Sequence, residues 1–112
     1  MSSAWENFFA ATVVLASAGP IKHRLTEAFR LHLADLEEED LPKEKREEFS
    51  WIASHMCRVK PLRGETSIHA TVRKMSDLEA GKMATRIVSL LGVVARQGAA
   101  QRPPKLRAVG DE

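Results

Sequence analysis

Residues 76 to 97 constrain the fold more than any other stretch, because at about 100° per residue they divide into an apolar arc and a polar arc. Met83, Ala84, Ile87, Val88, Leu90, Leu91, Val94 and Ala95 fall together, and Glu79, Lys82, Thr85, Arg86, Ser89, Arg96 and Gln97 fall opposite. Ser76 and Glu79 form an S-x-x-E capping box, Met75 stands where a hydrophobic staple would, and Gly98 is placed to end the last turn. This pattern specifies a long amphipathic helix that needs a partner surface. Gly81, Thr85, Ser89 and Gly92 border its apolar arc, a row of small residues that admits a second backbone at close range.

Three further helices are expected around it. The first runs from about Ala4 to Ala18, started by Ser3 with Glu6 and stopped by Gly19-Pro20. Trp5, Phe8, Phe9, Val13 and Leu15 give it an apolar perimeter wider than one small bundle covers. Its ending, Ala16-Ser17-Ala18, resembles a signal-peptide cleavage site. However, the residues before it lack Lys and Arg, and the apolar run is about half the roughly 20 residues that span a bilayer, so it reads as a core helix. The second helix opens at Pro20 and is expected to reach about Glu38, with Leu25, Phe29, His32 and Leu33 on its inner side. The third starts at Leu41-Pro42 and runs to about Cys57, with Phe49, Ile52 and Met56 inward.

Between them, residues 66–73 fit two patterns. Ile68, Ala70 and Val72 alternate with Ser67, His69, Thr71 and Arg73 as in a strand, while Ile68, Val72 and Met75 also keep helical spacing. The expectation is an all-α, four-helix bundle-like domain over residues 1–97, with a short strand, an extended arm or a further helix at 66–73. Residues 98–112, with Arg102-Pro103-Pro104 and no apolar period, are expected to form a disordered tail.

Charge and chemistry then narrow the function. Net charge is +2, too small to imply a nucleic-acid or membrane partner, although its distribution is uneven. Asp35 to Glu48 holds eight acidic residues against Lys43, Lys45 and Arg46, whereas Arg58 to Lys74 holds five basic residues against Glu65. A single cysteine, Cys57, excludes an intrachain disulfide and points to the cytoplasm. His55 and Cys57 are two apart, on different sides of a helix, unlike the spacing of four that a shared metal favours. There is no phosphate-binding glycine loop, G-x-S-x-G elbow or H-E-x-x-H motif, and the neighbouring carboxylates read as a solvated helix junction.

The expected function is therefore a non-enzymatic interaction protein, a self-associating adaptor or regulator, with no cofactor or metal. A homodimer is the expected partner state. Its contact residues would come from Trp5, Phe8, Phe9, Trp51, Gly81 and Gly92; the helical wheel places Trp51 on the polar side, where a large aromatic is a binding anchor. The alternative is a small nucleic-acid-binding regulator using Arg58, Lys60, Arg63, Arg73 and Lys74.

Overall fold

A computed structural model describes residues 3–100 of the chain, which form five α-helices. Helix α1 spans Ala4–Leu15, α2 Ile21–Ala28, α3 Arg46–Met56, α4 Ser67–Arg73 and α5 Asp77–Ala100. The all-helical class is as the sequence implied, with α4 added to the four principal helices.

Both capping boxes form. The Ser3 amide donates to Glu6 Oε1 at 3.0 Å and the Glu6 amide to Ser3 Oγ at 3.4 Å. At α5 the equivalent Ser76 and Glu79 bonds are 2.9 and 3.0 Å, and Met75 is buried in front of them. Each box satisfies amides that the first helical turn would leave without partners. Helix α1 stops earlier than expected, at Leu15, and Gly19 turns the chain with φ of 112°, a conformation costly for any residue with a Cβ. Arg24 reaches back from α2, its guanidinium donating to the Leu15 carbonyl and, at 2.7 Å, to that of Gly19, so the end of α1 is capped by the next helix.

The second helix departs from its expected length. After Ala28 the chain widens into one π-type turn over Phe29–Leu33, where the Ala34 amide donates to the Phe29 carbonyl at 2.8 Å, and the helix goes no further. Asn7 of α1 donates to the His32 carbonyl in this turn at 3.0 Å, supplying a partner from another helix. Two 3₁₀ turns, Glu38–Asp40 and Lys43–Lys45, then lead into α3, which begins four residues later than Pro42.

The strand reading of residues 66–73 gives way to helix α4. Thr66 Oγ1 accepts from the His69 amide at 3.1 Å, a helix N-cap, and the buried residues are Ala70, Thr71 and Val72 rather than alternate positions. Thr71 is fully enclosed, and its hydroxyl accepts from the Val59 amide at 3.1 Å, tying the loop before α4 to the core. Capping and burial thus override the weak helix propensity of this β-branched segment. At the far end, α5 continues through Gly98 to Ala100, since one glycine costs only about 1 kcal/mol and two alanines follow it. The tail expected at 98–112 is helical up to residue 100 and otherwise lies outside the described residues.

Helix α1 packs antiparallel on α5 and against α2, with α4 bridging α2 and α3. One continuous core holds Phe8, Leu25, Phe29, Leu33, Ile52 and Ile87, with Phe8 meeting Phe49 edge-on at 6.0 Å. No described helix is long and apolar enough to cross a membrane.

Candidate functional site

The inner arc of α1 is spent on the core through Ala4, Phe8, Ala11 and Leu15, but its neighbouring arc is not. Phe9 and Val13, one turn apart, are each 53% exposed, and the half-buried Trp5 meets Phe9 edge-on at 6.3 Å. Beside this ridge α1 and α5 enclose a shallow groove of about 330 Å³, lined by Thr12, Ala16, Ala84, Thr85, Val88 and Ser89 with Leu15 at its floor. Val88, assigned to the apolar arc, is 41% exposed there. The face carries no charged side chain at any of these positions, a depletion characteristic of the centre of a protein interface.

Two of its hydroxyls, those of Thr12 and Thr85, are already provided for. Thr12 Oγ1 donates to the Phe8 carbonyl at 2.9 Å and Thr85 Oγ1 to the Gly81 carbonyl at 3.0 Å. Covering them would therefore strand no donor. The two glycines of the small-residue row on α5 have open space over them: a Cβ at Gly81 would meet nothing within 4 Å, and one at Gly92 only the Arg96 guanidinium at 3.7 Å.

Of the expected contact residues, Trp5, Phe9, Gly81 and Gly92 lie on or beside this face. Phe8 does not. It is fully buried against Phe49, because its position on α1 points into the core, and it is withdrawn from the contact set. Val13 and Val88 replace it; their signal was present in the sequence, Val13 one turn after Phe9 and Val88 flanked by Gly81, Thr85 and Gly92.

Trp51 sits elsewhere, 45% exposed on α3. Its ring stacks on His55 with centroids 4.7 Å apart, and the Arg86 guanidinium of α5 lies 4.4 Å from the ring centroid. Arg86 also approaches Glu48 at 3.7 Å, and Arg58 pairs with the His55 ring. Partial burial, reinforced by the nearby Arg58 and Arg86 charges and opposed by Glu79, holds His55 below the usual histidine range. Trp51 is thus a clamp between α3 and α5, its ring already engaged.

Two of the five cations of the basic segment are already engaged within the subunit. Arg73 forms a two-pronged bond to Glu65 at 2.7 and 3.2 Å, which lowers the Glu65 carboxyl from its ordinary range and raises the guanidinium, and Arg58 is turned to His55. Lys60, Arg63 and Lys74 are exposed. Among the described residues no three His, Cys, Asp or Glu side chains gather where they could hold a metal ion, and Cys57 is exposed at the end of α3. Comparison with protein-family models, with curated proteins and with solved structures finds no match, so function has to be argued from this geometry.

Proposed function

We infer that the chain is a non-enzymatic interaction protein that pairs with a second copy of itself through the α1–α5 face. The observation that carries this reading is the uncharged ridge of Phe9 and Val13 beside the groove of Ala16, Thr85, Val88 and Ser89. A two-fold pair needs one patch that is complementary to itself, and a ridge next to a groove meets that need: each copy's ridge enters the other's groove. The satisfied Thr12 and Thr85 hydroxyls and the unfilled space over Gly81 lower the cost of the approach. Equilibrium sedimentation tests it: the native chain should run as a dimer at micromolar concentration and Val13→Asp as a folded monomer. A native monomer, or a Val13→Asp dimer, overturns the proposal.

Nucleic-acid binding through Arg58 to Lys74 has less support, because Glu65 occupies Arg73 and acidic residues nearly balance the charge. If it occurred, affinity would fall with salt by a log–log slope of about 0.9 per phosphate contacted.

A further inference from the structure

The α1 ridge and the outer face of α5 match one another in spacing, size and charge. On α5, Gly81, Thr85, Val88 and Gly92 recur at intervals of four, three and four residues, and on α1 Phe9, Val13 and Ala16 recur at four and three. Both rows lie outside the core, and rows of this period pack helices at a shallow crossing of about 20°. Each row ends in a charge. Glu6 stands one turn before Phe9 and Arg96 one turn after Gly92, both exposed, and neither takes part in an ion pair among the described residues. Glu6 Oε1 accepts from the Ser3 amide, and the Arg96 guanidinium lies over Gly92, 3.7 Å from where a Cβ would stand.

The subunit itself fixes how the two rows can meet. Ala4 and Trp5 border one cleft with Val94, and Thr12 and Ala16 border the α1–α5 groove with Thr85 and Ser89. Along this antiparallel pair, Phe9 therefore stands level with the turn that ends at Gly92, and Glu6 with the turn that ends at Arg96. A two-fold axis laid across the helices would set ridge against ridge and glycine against glycine, leaving the space over Gly92 unfilled. An axis running along the helices instead sets α1 of each copy over α5 of the other, and rotation about it keeps every residue at its own level. We propose, resting on the self-association inferred above, that the pair is built in this second way: Phe9 of each copy fills the space over Gly92 of the other, and Glu6 pairs with Arg96 across the interface. As the copies approach, the Arg96 guanidinium swings from Gly92 to Glu6 of the partner subunit and vacates the space that the ring enters. Opposite charges at matching levels then fix the register.

Charge reversal followed by equilibrium sedimentation tests the contact between chains. Glu6→Arg and Arg96→Glu should each raise the dimer dissociation constant about tenfold or more, since each sets like charges opposite one another twice. An equal mixture of the two variants should recover the native constant as a heterodimer, in which both contacts again join opposite signs. Glu6→Arg also removes the bond to the Ser3 amide, so a second measurement uses the native chain. In a mixture of isotope-labelled and unlabelled chains, filtered nuclear Overhauser spectra should join the Phe9 ring to the Gly92 Hα of the other chain. A dimer that tolerates both reversals, a mixture no tighter than the separate variants, or contacts joining Gly81 to Gly92 of the other chain would overturn this arrangement while leaving self-association in place. A native chain that stays monomeric overturns both.

Discussion

Replacing Ile87 with alanine removes the side chain that most fully joins α5 to the core. Ile87 is fully buried among the apolar residues that connect the helices. Losing three carbons forfeits about 2.4 kcal/mol of transfer free energy at about 0.8 kcal/mol per carbon. The cavity left behind raises the cost to about 3–4 kcal/mol, within the range of such truncations and a large part of a small domain's stability of about 5–15 kcal/mol. At about 4–8 °C per kcal/mol, the melting temperature should fall by about 12–32 °C. Urea denaturation gives the free energy directly, with the midpoint moving and the slope unchanged. Lys82→Ala, on the exposed side of the same helix, should stay within about 0.5 kcal/mol. If the two variants unfold at the same urea concentration, the assignment of the buried face of α5 is wrong.

Three other perturbations address separate parts of the account. Gly81→Ala should stabilise the isolated subunit by about 0.8–1 kcal/mol, since a Cβ there meets nothing; a loss of stability in dilute solution would contradict that packing. Thr71→Val leaves the Val59 amide without its acceptor and should cost about 1–3 kcal/mol by denaturant midpoint, whereas a neutral result would mean that the amide finds water. His55 has its affinity for protons depressed in the folded state, so the unfolded chain takes up the proton first as pH falls through about 6.5. Its contribution to stability is complete above that pH and declines below it; His55→Gln should flatten the decline, and parallel pH profiles would refute the assignment.

How much was legible in the sequence follows from where each signal resides. Helix α5 was clear because its period, cap and staple all lie within one segment and agree. Trp51 was correctly set on the polar side of α3, but its Arg86 partner comes from another helix and no local pattern reveals it. Residues 66–73 satisfied two periods at once, and only the Thr66 cap and the burial of three successive residues decide for helix. The π-type turn after Ala28 depends on tertiary packing, including the bond from Asn7, so the second helix looked continuous. Phe8 and Phe9 differ by one position on the same helix, and which of them faces the core is settled by Phe49 and Ile87 rather than by α1 itself. The face proposed for docking was foreshadowed as a surplus of apolar perimeter on α1, while the groove itself needs α1 and α5 side by side.

The central claim is self-association through that face, and concentration-dependent chemical-shift mapping of the amide-labelled chain tests it at the level of residues. Dilution should shift or sharpen the signals of Phe9, Val13, Ala16, Thr85, Val88 and Ser89 together, along one binding curve, while Arg58 to Lys74 stay fixed. Spectra that do not change with concentration, or changes centred outside α1 and α5, would contradict it.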